Sequence, residues 1–234
     1  MSDPWFLGVA SNLKERALNL FLRPNCPLCD RSAMAVCCEY CQRQIYDERL
    51  ERPERYWHGD IPLFAWGKYQ GAIKRSIGKF KYDGHRSIGD LYGELIAQSW
   101  QKFTPPNVPT QLVAVPIPLH SEKLVTRGFN QAELIARKFC QLTGAKLDLS
   151  LHRTRSTVPQ FGLSKSERQQ NVADAFTLNN SALKAGTTVL LIDDIYTTGA
   201  TVRSATTVLR SHDINVCGVA VIAIAGEGSN KGRG

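Results

Sequence analysis

No run of this 234-residue chain reaches the roughly 18 apolar residues that a membrane-spanning helix needs, so no membrane insertion is expected. The first residues also lack a secretory pattern. Asp3 stands where positive charge belongs, and Lys14, Glu15 and Arg16 interrupt the apolar run. A cytoplasmic location is expected on both counts. A nucleotide-binding P-loop is missing. Its nearest match, "GAIKRSIGKF" at 71–80, spaces Gly71 and Gly78 too widely and has Phe80 where Ser or Thr is required. No internal repeat is present. Cysteine is scarce outside one cluster: five of the seven fall between Cys26 and Cys41. An odd, clustered count argues against a disulfide framework. Cys140 and Cys217 stand alone in apolar contexts and read as buried thiols.

What is present begins with charge. The formal net charge is +8, which favours anionic partners such as phosphorylated metabolites, nucleic acid or acidic lipid, although solubility alone also accounts for it. The second half alternates strand and helix patterns. "LVAVPIP", "KLDLSL", "TTVLLID" and "NVCGVAVIAIA" read as strands, and "NQAELIARKFCQL" and "ATVRSATTVLR" as amphipathic helices. Near-continuous apolar strands between such helices predict an α/β fold, a mainly parallel sheet with flanking helices. Upstream, "LFAWGKY" reads as a strand, 72–80 and 88–102 as helices, and "DERLERPERYWHGDIP" as a linker. Residues 5–21 carry helical spacing as well.

"CPLCDRSAMAVCCEYC" holds two C-x2-C pairs, Cys26 with Cys29 and Cys38 with Cys41. Each pair can grip one tetrahedral ion from a tight turn, and zinc is the usual occupant of four thiolates. Cys37 is the surplus thiol, although it could compete with Cys38. A redox dithiol, unpaired structural cysteines and an iron–sulfur cluster remain open. The segment is too short for a core of its own, so a metal would substitute for one.

"LLIDDIYTTGAT" puts Asp193 and Asp194 at a strand's carboxyl end, where open α/β sheets bind ligands. A helix follows from about Ala200. Its N-terminal amides and dipole favour an anion. Gly199 permits close backbone approach, and Thr197, Thr198 and Thr201 add hydroxyl donors. Phosphate donors beside two carboxylates suit a ribose 5-phosphate. A structural turn capped by the acids is the plainer reading, but it needs one acid rather than two.

"VLLIDDIYTTGAT" resembles the phosphoribosyl pyrophosphate (PRPP) motif of type I phosphoribosyltransferases. "CPLC…CEYC", "VPIPLHSEKLVTRGFNQAELIA" and "RTRSTVPQFGLSKSERQQNVADAF" precede it in the order seen in the ComF family, which includes the GntX proteins. The resemblance covers roughly residues 20 to 225. It implies a type I phosphoribosyltransferase fold behind a small zinc-ribbon-like module, and a link to DNA uptake in natural competence with other competence proteins as partners. Boundaries at 1–55 for the N-terminal helix and zinc module, 56–225 for the transferase domain and 226–234 for a flexible tail follow. Ala200 takes the place of a second glycine found in many relatives outside this family.

The resemblance also implies roles. Asp193, Asp194, Thr197, Thr198, Gly199, Ala200 and Thr201 would hold PRPP, with Mg²⁺ arriving on the substrate rather than in a protein cage. "PLHSEKLVTRGFNQ" resembles the pyrophosphate loop, with Lys123, Arg127 and Gly128 as contacts. The stretch 152–171 resembles a flexible loop that closes over PRPP, bringing Arg153, Arg155, Gln160 and Arg168 to the pyrophosphate or acceptor. Asp193, Asp194, Arg127 and Arg168 are the candidate catalytic set. Phe64, Trp66, Tyr69 and Tyr82 could stack an acceptor base, and Lys74, Arg75, Lys79 and Lys81 could track a nucleic-acid backbone. Two functions stay open: a phosphoribosyltransferase using PRPP with Mg²⁺, and a catalytically inactive single-stranded DNA-binding protein on the same scaffold.

Overall fold

The computed structural model describes residues 25–105, 107–154, 175–179 and 183–226. The expected helix at 5–21 lies outside them, as do Arg155, Gln160, Arg168 and the tail beyond Gly226. The chain runs through α1 (Glu39–Tyr46), a 3-10 turn (Pro53–Arg55), β1 (Leu63–Lys68), α2 (Gly71–Tyr82), α3 (Ser87–Lys102) and β2 (Val113–Pro116). It continues through α4 (Ser121–Arg127), α5 (Gln131–Thr143), β3 (Lys146–Leu147), β4 (Leu151–Arg153), β5 (Phe176–Leu178), β6 (Thr188–Tyr196), α6 (Ala200–Arg210) and β7 (Asn215–Ile224).

Five strands form one sheet in the order β1-β7-β6-β2-β3, every pair parallel. The two most apolar runs, β6 and β7, take the middle, where both faces are covered. Alternation along β6 sends Leu190 and Ile192 into one core and Val189 and Leu191 into the other. The first core is closed by α2, α3 and α5 through Ile73, Ile77, Ile96, Ile135 and Phe139, the second by α6 through Val202, Ala205 and Leu209. Helices α3 and α5 approach closely because Gly89 and Gly93 carry no side chain. A Cβ on Gly93 would lie 2.6 Å from the Ile135 carbonyl oxygen, and one on Gly89 2.7 Å from Leu134 Cβ.

Three expectations need correction. "KLDLSL" is two strands. The Asp148 carboxylate accepts from the Ser150 N–H at 3.0 Å and from its hydroxyl. That local turn ends β3, and β4 leaves the main sheet to pair antiparallel with β5. The stretch read as a linker lies along β1 instead: Leu50 N–H donates to Trp66 O at 2.9 Å, and Leu63 N–H to Tyr56 O at 3.0 Å. Leu50 and Pro53 are buried, so this segment covers the sheet's edge. Finally, β6 does not stop at the two acids. It continues to Tyr196 because β7 keeps pairing with it, Asp193 opposite Val221 and Tyr196 opposite Ile224.

Candidate functional site

Two sites emerge. The first is the cysteine cluster. The sulfurs of Cys26, Cys29, Cys38 and Cys41 all lie within 4.8 Å of one another, and Cys29 Sγ and Cys38 Sγ are 3.5 Å apart. Four thiolates on a tetrahedral ion at a Zn–S distance of about 2.3 Å sit about 3.8 Å apart, so this set can hold such an ion. The turn around Cys26 is tight: Asp30 N–H donates to Cys26 O at 2.8 Å and Cys26 N–H to Arg31 O at 2.7 Å. Burial raises the Cys26 thiol, but N–H groups of Cys38 and Leu28 outweigh it and bring the group down to about 7. Amide-stabilised thiolates are what a cation requires. Cys37 is outside the cluster. It is buried in the first core, and burial followed by the charge of Cys26 pushes it up to about 12. Cys38, the N-cap of α1, is therefore the fourth member.

The second site lies along the carboxyl edge of the sheet. Asp193 and Asp194 are successive strand residues, so they point to opposite faces. Asp194 is buried, and its Oδ2 lies 2.7 Å from Lys81 Nζ at the end of α2. Asp193 accepts from the Asp194 N–H at 2.8 Å. Burial, then the Asp194 charge, push the Asp193 carboxyl up to about 7, while that N–H, Lys81 and Arg153 pull the other way. Beyond Tyr196 the chain crosses exposed Thr197 and Thr198 and reaches Gly199, which caps α6 at φ 72°. Glycine is required twice over there. The conformation is left-handed, and a Cβ would collide with the Tyr196 hydroxyl. Arg203 Nη1 donates to Thr198 O at 2.9 Å, fixing the loop against the helix it starts. Of the first-turn amides of α6, that of Ala200 donates to the Thr198 hydroxyl at 3.4 Å, a long bond that an anion at this helix start would replace.

The loop after β2 joins the same edge, since Ile117 N–H donates to Ile192 O at 2.9 Å. Lys123 and Arg127 lie on a helix, α4, rather than on an extended loop, and Gly128 caps it at φ 74°. They line a cavity of about 720 Å³ with Lys81, Tyr82, Asp83, Gly84, Glu122 and Thr126. The run "RGFNQ" explains how Arg127 is held. Arg127 donates to buried Gln131 at 3.2 Å and lies 5.5 Å from the Tyr82 ring. Buried Phe129 packs on Phe80 at 5.5 Å between ring centres. Asn130 caps α5 by accepting from Ala132 N–H and donates to Ile117 O at 3.1 Å. In the sequence Asn130 and Gln131 are legible only as part of a helix, with their spacing from Arg127 and their place at the helix start as the signals of this role.

Other expected residues fall elsewhere. Arg153 ends β4 opposite Phe176 instead of lying in an open loop. Phe64 and Trp66 are buried and packed edge-on against Trp100 and Tyr46, so neither offers a face to a base. Tyr82 is 76% exposed and keeps one. Lys79 is paired with Asp83 at 2.7 Å, and Lys81 with Asp194, which leaves Lys74 and Arg75 as the outward pair of that basic run.

Residues 124–233 match the phosphoribosyl transferase domain family. Competence protein ComFC of Bacillus subtilis (strain 168) is 34% identical over 187 residues, covering 77% of this chain and 69% of that protein. The chain belongs to the ComF family. DNA utilization protein YhgH of Salmonella typhimurium is 32% identical over 144 residues, covering 60% of this chain and 62% of its own. Adenine phosphoribosyltransferase from Leishmania tarentolae aligns over 79% of this chain and 86% of its own, at 11% identity and a TM-score of 0.40. With its phosphoribosyl transferase match and its parallel sheet between two helical layers, the ComF chain has the type I phosphoribosyltransferase fold behind a four-cysteine module. No helix among the described residues is long and apolar enough to cross a membrane.

Half-buried Asp193 of this ComF chain makes a pH prediction. In the unfolded chain Asp193 ionises near pH 4; in the folded chain it does so at about 7. The folded state therefore holds the proton more tightly. That stability is fully present below about pH 4 and is lost as pH rises through about 7. Asp193→Asn removes the loss. It is expected to stabilise the protein at pH 8 by about 1–3 kcal/mol, less than the full shift because the carboxyl is partly accessible. The gain should shrink toward pH 4. Urea unfolding across that range checks it, and a variant no more stable than wild type at pH 8 would contradict it.

Proposed function

We propose that this chain binds PRPP at the carboxyl edge of its sheet and acts in DNA uptake. The observation that carries the first part is β6 delivering two adjacent carboxylates into a glycine-capped helix N-terminus. In this reading Thr197, Thr198, Ala200 and Thr201 hold the 5-phosphate through hydroxyls and amides, with Gly199 shaping the turn. Asp193 and Asp194 accept from the ribose hydroxyls. Lys123 and Arg127 face the pyrophosphate, with Gly128 as the turn that presents them. Mg²⁺ supplies charge neutralisation on the pyrophosphate oxygens when it arrives with PRPP. The leaving pyrophosphate takes the electron pair of the C1–O bond, so cations held at this edge favour its departure. Arg127 and the two acids form the described part of the catalytic set, and Arg153 sits close enough in charge to act on Asp193. The cysteine cluster holds structural zinc. We divide the chain near residue 55 into the zinc-bearing part and the PRPP-binding domain.

The second part rests on the relatives named for competence and DNA utilization, and on a surface. Helix α1 of the cysteine module packs beside α2, with Arg75 Nη2 donating to Gln44 at 2.9 Å. Lys74 and Arg75 are exposed on α2, Tyr40 and Tyr46 are exposed on α1, and Arg31 lies 5.1 Å from the Tyr40 ring. Cations beside accessible rings suit a single strand, whose bases stack and whose phosphates pair. Fluorescence anisotropy of a labelled single-stranded oligonucleotide across a salt series tests this. Each lost phosphate contact lowers the salt slope by about 0.7 log units. Lys74→Glu with Arg75→Glu is expected to weaken DNA binding, flatten that slope by about two contacts and leave PRPP binding unchanged. Undetectable binding at low salt would remove the DNA contact and leave the PRPP site as the surviving part.

A further inference from the structure

Lys81 joins the two halves of the edge site. Its Nζ lies 2.7 Å from Asp194 Oδ2, with side-chain exposures of 19% and 9%. An ammonium at that distance makes a strong charge-assisted hydrogen bond, and it occupies an oxygen that a ribose hydroxyl would otherwise address. Lys81 also lines the cavity of about 720 Å³ that Lys123, Thr126 and Arg127 of α4 line. Lysine is a point charge on a flexible four-carbon stem, so its ammonium can change partners by rotation about that stem. Asp83 is held by Lys79 at 2.7 Å, and Glu122, 81% exposed, lies 3.6 Å from His120.

We propose that Lys81 is a displaceable placeholder. It neutralises Asp194 until ribose hydroxyls take its position, then turns to the pyrophosphate of the same ligand. This rests on the PRPP reading of the site. It makes Lys81 a specificity residue. Ribose 5-phosphate must displace the ammonium and offers it no new partner, whereas PRPP supplies one, so the protein prefers PRPP by a difference in cost rather than by shape.

Calorimetry on the full chain with Mg²⁺, using ribose 5-phosphate and PRPP as separate probes, tests it. In Lys81→Met, affinity for ribose 5-phosphate is expected to rise about threefold to tenfold and affinity for PRPP to fall about tenfold to a hundredfold. A purely structural lysine would weaken both together. Lys81→Gln leaves Asp194 a hydrogen-bond donor, so it guards against loss of folding, and it carries the same expectation in smaller measure. Equal losses for both probes, or unchanged PRPP affinity in either folded variant, would overturn the proposal while leaving the PRPP reading intact. Wild-type protein that binds neither probe would overturn the PRPP reading itself, and this proposal with it.

Discussion

Asp193→Asn combined with Asp194→Asn is expected to weaken PRPP binding by a hundredfold or more. Hydrogen bonds to charged groups contribute about 1.5–3 kcal/mol each, and the double variant removes both charges while keeping side-chain shape. The fold should survive. Asp193 pairs through its backbone with Val221, and nothing in that ladder depends on the carboxylate. Asp194 holds Lys81, and asparagine still offers that ammonium an oxygen. The single Asp194→Ala change should weaken binding by about 1.5–3 kcal/mol, because it removes one charged partner. Calorimetry with Mg²⁺ reads both, with circular dichroism to confirm folding. Equal affinity in wild type and double variant would contradict the ribose role of these acids.

Loss of the metal is expected to have an effect of similar size on stability. Reduced, unchelated protein should carry one zinc per chain, and Cys26→Ser with Cys41→Ser should abolish it. Structural zinc in isolated peptides stabilises by about 10–16 kcal/mol, but this module shares its interior with the sheet domain. Cys26, Cys41 and Ile45 belong to the same apolar cluster as Phe64, Ile73 and Ile77. We expect about 3–5 kcal/mol, read as a fall of about 10 °C or more in the unfolding midpoint. The loss should reach α2 through α1, which carries Cys41. Metal analysis finding no zinc, or a zinc-free variant with an unchanged midpoint, would contradict the structural role.

The parts of the fold legible in the sequence are those where one local pattern had no competitor. Strands β6 and β7 are long apolar runs, and helices α3, α5 and α6 carry clean helical stripes. The turn at Asp148 was illegible because alternation continues through "KLDLSL" while a single side chain redirects the backbone. For the cysteine site, spacing favours Cys38 over Cys37 but does not exclude the latter. Only the start of α1 turns one sulfur to the cluster and the other to the core. Lys74 and Lys81 are seven residues apart and share a helix face, so their pattern is identical. Lys74 is exposed, whereas Lys81 at the last turn of α2 is half-buried with its ammonium on Asp194. Phe64 and Trp66 likewise share one face of β1, and aromatic residues waiting for a base look the same in sequence as aromatic residues filling a core.

A crystal structure of the protein with PRPP and Mg²⁺ tests most directly whether the edge of β6 and the start of α6 hold PRPP. The expected result is the 5-phosphate on the amides and hydroxyls of residues 197–201, the ribose hydroxyls on Asp193 and Asp194, and the pyrophosphate beside Lys123 and Arg127. PRPP bound elsewhere, or an edge site left empty at saturating PRPP and Mg²⁺ with Lys81 still on Asp194, would contradict it.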